Sequence, residues 1–154
     1  MTRRGPDQSL LLERELTGQI IRAFYSSYNL LGFGFLESVY RRALAVELRS
    51  IGIQVVEEAP TEVFFKGVAV GAFKLDLLVE NRVVVEAKAT AVLGPTDRRQ
   101  LLNYLRATNL EVGLLLHFGP EPRFVRCIHS DQLHARKGSR TLGRNDPAVS
   151  VSSV

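Results

Sequence analysis

The chain has 154 residues, a formal net charge of +4, and 45% hydrophobic and 23% charged residues, a composition typical of a domain that buries its own core. No apolar run approaches the roughly 20 residues of a membrane span and no signal core follows the N-terminus, so a cytoplasmic protein that does not enter membranes is expected. The single cysteine, Cys127, excludes an internal disulfide. Residues 10–134 are formally neutral, so net charge alone does not predict a nucleic-acid partner.

Hydrophobic periodicity predicts one domain of helices and strands. In chain order the predicted elements are helices over 10–28 and 36–50, strands over 54–57 and 61–65, a strand carrying Asp76 after a turn at 66–67, a strand from 83 to about 93, a helix from its N-cap Thr96 to about 108, and strands over 112–118 and 122–128. We expect a central sheet flanked by helices over residues 10–134. A flexible N-terminus (residues 1–9) and a basic, disordered tail (residues 135–154) would flank it.

Asp76 and Glu86 lie in a predicted hairpin of two apolar runs, 73–79 and 83–89. The odd-numbered residues of both runs are apolar, which predicts that this side of the hairpin is buried. If residues 80–82 form a three-residue loop, Asp76 faces Glu86 on the other side, and Lys88 projects toward the same point. Two carboxylates that close repel each other unless a proton or a cation compensates, and a hard divalent cation such as Mg²⁺ would do so.

The alternative for this hairpin is an ordinary surface element. Asp76 and Glu86 would then lie on a solvated face, with Lys74 and Lys88 offsetting their charge. An Asp followed ten residues later by Glu-x-Lys is a loose pattern. The hairpin by itself therefore leaves both interpretations open.

Glu37 is a second candidate, because it shares an apolar helical stripe with Tyr40, Leu44 and Leu48. A carboxylate in that position is costly unless it is paired or metal-bound. The alternative is a solvated glutamate in the first helical turn, stabilised by the helix dipole.

Gln100 and Tyr104 are one turn apart on the third predicted helix and share a face. Together they could hold a phosphate, a base edge or a water molecule, although a solvated glutamine beside a half-buried tyrosine fits the pattern as well. Arginines suited to phosphate contact lie near these motifs, and each could equally be an ordinary solvated charge: Arg41, Arg42, Arg98, Arg99 and Arg106.

Taken together, these motifs resemble the GxxExxY family, a group within the PD-(D/E)xK nuclease superfamily. The resemblance extends from about residue 17 to residue 128. It implies a restriction-endonuclease-like core, with a central mixed sheet flanked by helices. The residues that carry it are Gly34, Glu37 and Tyr40, then Asp76, Glu86 and Lys88, and then Gln100 and Tyr104, a pair similar to the QxxxY element of RecB-type nucleases.

The resemblance implies a nuclease that hydrolyses DNA, in preference to RNA, with Mg²⁺ or alternatively Mn²⁺ as cofactor. The implied site comprises the metal ligands Asp76, Glu86 and Glu37, the catalytic Lys88 that activates or orients the attacking water, and the substrate-binding or positioning residues Gln100, Tyr104 and Tyr40.

The chain departs from the superfamily pattern at two positions. Leu75 replaces the proline of the motif, and His117 stands where an asparagine is expected near the end of a strand. Two other functions stay open. The neutral body and small size would suit a non-catalytic nucleic-acid-binding or protein-interaction module on the same fold. A hydrolase of small phosphoesters is also conceivable, although no base-binding pocket can be identified. A homodimer or a protein partner is compatible with this size.

Overall fold

The computed structural model describes residues 13–129, which form a five-stranded mixed sheet with helices on both faces. The elements are α1 (Arg14–Leu31), α2 (Glu37–Ser50), β1 (Val55–Phe65), β2 (Val68–Val79), β3 (Val83–Lys88), α3 (Pro95–Thr108), β4 (Val112–Phe118) and β5 (Pro122–Ile128). The strands lie side by side in chain order. Only β3 and β4 are parallel, and α3 provides the crossover that a parallel pair requires. The expected central sheet with flanking helices is confirmed.

Two apolar clusters cover the two faces of the sheet. The larger cluster packs α1 and α2 against the sheet, and it includes Phe24, Leu44, Leu77 and Val85. The smaller cluster packs α3 against the opposite face through Leu101, Leu105, Val84 and Leu115. Because both faces are covered, a polar side chain on β3 or β4 is buried unless it lies at a strand end.

The first two helices follow their predicted pattern with one adjustment. The predicted start of α1 at Leu10 lies outside the described residues, but its end lies beyond Tyr28, at Leu31. Gly32 ends the helix with a φ of 72°, and its N–H donates to the Tyr28 carbonyl over 2.7 Å. Glycine adopts this conformation at little cost, which explains the position of the break. The second helix begins at Glu37 and ends at Ser50, in agreement with its predicted range.

The sequence predicted two short strands over 54–57 and 61–65, and this was wrong. The structure has one strand, β1, which runs through Glu58 although that residue has a φ of 49°. Non-glycine residues rarely adopt this left-handed conformation, and nothing in the sequence indicates that Glu58 does so within a continuous strand. The structure also ends β3 at Lys88, well before the predicted end near residue 93.

The N-terminus of α3 also differs from the prediction. Gly94, not Thr96, is the N-cap, and Pro95 takes the first helical position. The Gly94 N–H donates to Asp97 Oδ2 over 2.9 Å. Proline suits this position because its missing N–H would have no partner in the first turn.

The hairpin of β1 and β2 extends beyond the rest of the sheet. β2 pairs with β3 only from Leu77 to Val79, while its pairing with β1 continues to the turn at Lys66 and Gly67. The far part of the hairpin is therefore a two-stranded ribbon that exposes Val68 and Val70. None of the described helices is long and apolar enough to span a membrane.

Candidate active site

Asp76 and Glu86 face each other where β2 and β3 separate. The turn that joins these strands is closed by the Arg82 N–H, which donates to the Val79 carbonyl over 3.0 Å. The predicted three-residue loop is thus confirmed, and continuing the register from Leu77 opposite Val85 puts Asp76 opposite Glu86. Beyond that point, carboxylate oxygens instead of backbone carbonyls accept the hydrogen bonds between the two strands. The Asp76 N–H donates to Glu86 Oε1 over 3.2 Å, and the Ala87 N–H donates to Asp76 Oδ2 over 2.9 Å.

Glu86 is the buried member of this pair, with 4% of its surface exposed. Burial, and then the neighbouring negative charge of Asp76, raise the pKa of Glu86 to about 8. In the absence of a cation, Glu86 therefore holds a proton at neutral pH. The alternative of a solvated surface hairpin is wrong for this residue, because α3 covers that face of β3.

Lys88 ends β3 and connects the carboxylates to α3. Its Nζ donates to Gln100 Oε1 over 3.2 Å. The positive charge of Lys88 also lowers the pKa of both Glu37 and Glu86, which partly offsets the effects of burial on these two acids. The structure therefore brings together the strand motif and the first residue of the predicted Gln100–Tyr104 pair.

Tyr104 lies one turn farther along α3, and its ring stacks on Phe73 with a centroid distance of 4.3 Å and an interplanar angle of 7°. Burial raises the pKa of Tyr104, as do the charges of Glu86 and Asp76. The hydroxyl consequently stays protonated and can act as a hydrogen-bond donor. A side-chain hydrogen bond with Gln100 acts in the opposite direction and lowers the pKa of Tyr104, which agrees with the expectation that the two residues share a helix face. Their predicted role in substrate binding or positioning stays a prediction.

The expectation that Phe73 and Leu75 share a buried side with Leu77 was wrong. Leu77 packs in the larger cluster under α1 and α2, whereas Leu75 packs in the smaller cluster under α3, as Phe73 does. The change of side occurs at Asp76, next to the irregular Glu58 of β1. The register of β1 and β2 stays one-to-one at this point, so the change of side occurs without a bulge, and beyond it Phe73 packs on Tyr104.

Glu37 is the first residue of α2, and its side chain is directed toward the end of β3. Burial raises the pKa of Glu37, and the charges of Asp76 and Asp97 add to this effect. Lys88 and a hydrogen bond donated by the Ala89 N–H act in the opposite direction. The structure thus places Glu37, half-buried in the first turn of α2, in the same electrostatic neighbourhood as the strand carboxylates. The alternative of a first-turn glutamate stabilised by the helix dipole stays open.

Tyr40 is fully buried, and among the predicted site residues only Glu86 is comparably buried. Its hydroxyl donates to the Gly32 carbonyl over 2.5 Å and accepts a hydrogen bond from the Phe35 N–H over 3.2 Å. The ring stacks on Phe118 at 4.4 Å. This environment favours a positioning role, in which Tyr40 fixes the loop that precedes Glu37.

His117, whose role the sequence left open, holds the segment that follows Lys88. It lies beside Lys88 in the parallel pair of β3 and β4, and its Nε2 is 2.5 Å from the Thr90 carbonyl oxygen. Since the partner is an acceptor, Nε2 carries the proton. Gly119 makes room for the ring, because a Cβ at that position would lie 2.4 Å from the His117 Cε1. The glycine two residues after the histidine was the only sequence signal for this arrangement.

The position of α3 depends on Gly113 in β4. A Cβ at Gly113 would lie 2.9 Å from Leu101 Cδ1, so the helix approaches the strand more closely than any other residue would permit. Leu101 directly follows Gln100 in α3. The close approach therefore sets how far Gln100 stands from Lys88.

The arginines near the motifs occupy two kinds of environment. Arg41 pairs with Glu58 over 3.5 Å, and Arg98 contacts the buried thiol of Cys127, whose pKa is raised by burial and lowered by this arginine. The other three are exposed and available to a ligand: Arg42, Arg99 and Arg106.

The donor set fits the chemistry of a hard divalent cation. Asp76, Glu86 and Glu37 are oxygen donors, and the pKa of both glutamates is raised in part by the Asp76 charge, which a cation would neutralise. However, no three His, Cys, Asp or Glu side chains between residues 13 and 129 are gathered as a group that could hold a metal ion. The predicted ligand roles of these three carboxylates therefore stay predictions.

Comparison with known proteins identifies the family. The family model described as the PD-(D/E)XK nuclease superfamily matches residues 14–127, and with this match the expected restriction-endonuclease-like architecture is confirmed. The crystal structure of SSO0001 is similar with a TM-score of 0.46 and 17% sequence identity, over 84% of this chain and 66% of that one, so this chain spans just under two thirds of SSO0001. No curated protein gives a significant match. The narrower GxxExxY assignment stays a prediction.

Proposed function

The chain belongs to the PD-(D/E)XK nuclease superfamily, and we propose that it is a metal-dependent nuclease that hydrolyses phosphodiester bonds in DNA. The observation that carries this proposal is the facing pair of Asp76 and Glu86, with Lys88 two residues farther along β3. The pair lies where two strands separate, beside the end of a helix that contributes a third carboxylate, Glu37. This arrangement concentrates negative charge at one point and places the positively charged side chain of Lys88 beside it.

Asp76 and Glu86 would hold a divalent cation, Mg²⁺ or alternatively Mn²⁺, and Glu37 would complete the set of oxygen donors. When bound, the cation supplies charge neutralisation at the phosphate and lowers the pKa of water. Glu86 would then bind in its ionised form, because a cation beside the pair would offset the charge of Asp76, the second cause after burial of the raised pKa of Glu86.

The remaining groups of the site orient the reactants. Lys88 donates hydrogen bonds to the attacking water and to a phosphate oxygen, and its contact with Gln100 Oε1 fixes the direction of the side chain. Tyr104 donates from its protonated hydroxyl to a second phosphate oxygen. Stacking on Phe73 holds the Tyr104 ring in place for this role.

The proposal is tested by cleavage of single-stranded, duplex and branched DNA and of RNA, with Mg²⁺ or Mn²⁺. We expect DNA cleavage by the unmodified protein and a loss of about 100-fold or more in Lys88→Ala. Lys66→Ala is the matched control, because it removes an exposed lysine at the turn of the distal ribbon. Equal rates in Lys88→Ala and Lys66→Ala would refute the role of Lys88.

A second candidate function is a non-catalytic nucleic-acid-binding or protein-interaction module on the same fold. It is favoured by the absence, among residues 13–129, of three gathered metal-ligating side chains. Calorimetric titration with Mg²⁺ and Mn²⁺ separates the two candidates. Absence of metal binding together with no cleavage of any substrate would support the module, whereas cleavage that disappears in Lys88→Ala would exclude it.

A further inference from the structure

The segment between α1 and α2 exposes an unusual amount of apolar surface. Within ten residues, five large hydrophobic side chains are exposed: Leu30 (83%), Phe33 (52%), Phe35 (48%), Leu36 (76%) and Val39 (37%). We call Phe33, Phe35 and Leu36 the apolar ridge. Exposed apolar residues scattered singly need no explanation, but contiguous ones commonly mark a binding surface.

The ridge adjoins the candidate active site. Leu36 is the N-cap of α2, and the next residue is Glu37. The Glu37 carboxylate accepts a hydrogen bond from the Ala89 N–H and is influenced by the charges of Lys88 and Asp76. A molecule bound at the carboxylates would therefore pass within about one helical turn of the ridge.

The loop holds its aromatic residues in defined positions. Gly32 and Gly34 have φ values of 72° and 115°, which only glycine adopts readily. The Tyr40 hydroxyl bridges this loop by donating to the Gly32 carbonyl and accepting from the Phe35 N–H. The ring of Phe35 also meets Tyr40 edge-on at 6.1 Å. A fixed aromatic surface loses little conformational freedom when a ligand binds to it.

Nucleobases are the occupant that this location favours. Residues 10–134 are formally neutral, so contacts with phosphates alone provide little of the affinity a nucleic acid needs. Aromatic rings that stack on bases supply affinity without using charge and without requiring a particular sequence. In a duplex the base faces are already stacked on their neighbours, whereas unpaired bases present them to a protein.

We propose that Phe33, Phe35 and Leu36 form a base-stacking surface that binds unpaired nucleotides next to the carboxylates. This inference rests on the proposed nuclease function and defines its substrate class as single-stranded or locally unpaired nucleic acid. Phe33 is the main contact, because its ring is half exposed, whereas the ring of Phe35 also packs edge-on against Tyr40. Phe35 and Leu36 extend the same surface toward Glu37.

The first test measures binding to the full-length protein in EDTA, where no turnover occurs. Fluorescence anisotropy compares an oligothymidine strand, an abasic strand of equal length and a duplex. We expect the oligothymidine to bind about tenfold more tightly than the abasic strand and the duplex. Phe33→Ser should remove this preference and leave abasic binding unchanged. Phe65→Ser is the matched control, since it removes an exposed phenylalanine at the far end of the ribbon and should change nothing.

A second measurement does not depend on removing an aromatic ring. The chain contains no tryptophan, so Phe33→Trp introduces a single fluorescent reporter at the ridge. Stacking predicts that oligothymidine quenches this fluorescence and that the abasic strand does not. Equal quenching by both strands, or an unchanged preference in Phe33→Ser, would overturn the proposal.

The outcome for the ridge can be separated from the outcome for the nuclease function. Selective binding of oligothymidine without cleavage under any metal condition would refute the nuclease and leave the stacking surface intact. Cleavage together with equal affinity for the abasic and oligothymidine strands would support the nuclease and refute the stacking surface. If Phe33→Ser changes only the oligomeric state on a sizing column, the ridge covers a protein surface, and base stacking is rejected.

Discussion

Asp76 and Glu86 face each other across two strands, and each carboxylate accepts a hydrogen bond from a backbone N–H of the opposite strand. Glu86 accepts from the Asp76 N–H, and Asp76 accepts from the Ala87 N–H. The sheet thus opens at the point where its charge is concentrated. A cation at this point would compete with a shared proton, so the stability of the protein and its affinity for metal are linked to pH.

The stability of the metal-free protein should fall as the pH rises. The pKa of Glu86 is about 8 in the folded protein and 4.5 in an unfolded chain. Because only the folded state keeps this proton between these values, the free energy of unfolding should decrease across that window, by up to about 1.4 kcal/mol per pH unit. Denaturant unfolding in EDTA from pH 5 to 8 measures the slope. Glu86→Gln should flatten it, and the exposed control Glu121→Gln should not. The same slope in Glu86→Gln would show that another group titrates.

Gln100→Ala should lower cleavage by about tenfold or more, with little effect on stability. The substitution removes the acceptor for Lys88 Nζ and leaves the lysine side chain free to rotate. Asn103→Ala is the matched control, because Asn103 is exposed on the same helix. The cleavage rates and melting temperatures of both variants test this prediction. Equal rates in the two variants would mean that Lys88 needs no orientation by Gln100.

The sequence predicted the core of this site because its geometry depends on local rules. Strand alternation and a three-residue loop suffice to set Asp76 opposite Glu86, and a helical spacing of four residues brings Gln100 and Tyr104 to one face. The central sheet with flanking helices follows from the order of the elements.

The parts that could not be predicted depend on contacts between distant residues or on unusual backbone. Glu58 takes a left-handed conformation for which glutamate has no preference, so the change of side that brings Phe73 to Tyr104 left no trace in the alternation pattern. Gly113 is required by Leu101, which only the folded structure brings close, and Gly119 by the ring of His117, whose position depends on its contact with the distant Thr90 carbonyl.

Gly113→Ala should destabilise the protein by about 1–3 kcal/mol, since the added methyl group would lie 2.9 Å from Leu101 Cδ1 in a fully packed cluster. Leu101→Ala alone should cost about 2–5 kcal/mol. The double variant should cost less than the sum of the two, because the cavity from one change accommodates the methyl group of the other. Chemical denaturation of the four proteins measures this coupling. If the two destabilisations simply add, α3 does not pack closely against Gly113.

Tyr104→Phe should separate the chemical role of this residue from its packing role. The variant keeps the ring that stacks on Phe73 at 4.3 Å and loses only the hydroxyl. We expect the melting temperature to change little and cleavage to fall by about 10-fold or more. Phe73→Ala should instead lower stability by about 3–5 kcal/mol at most, since Phe73 is only partly buried. Normal cleavage in Tyr104→Phe would limit Tyr104 to packing.

Gly119→Ala should impair the site from a distance. The added methyl group would lie 2.4 Å from the His117 ring, and that ring holds the Thr90 carbonyl in the segment after Lys88. The ring has to move away from the added methyl group. This movement should destabilise the protein by about 1–3 kcal/mol and free residues 89–92 from their contact with His117. Gly71→Ala is the control, since a Cβ there meets no atom within 4 Å. Amide hydrogen exchange should show faster exchange near Thr90 in Gly119→Ala only. Exchange there that matches the unmodified protein would mean that His117 does not hold this segment.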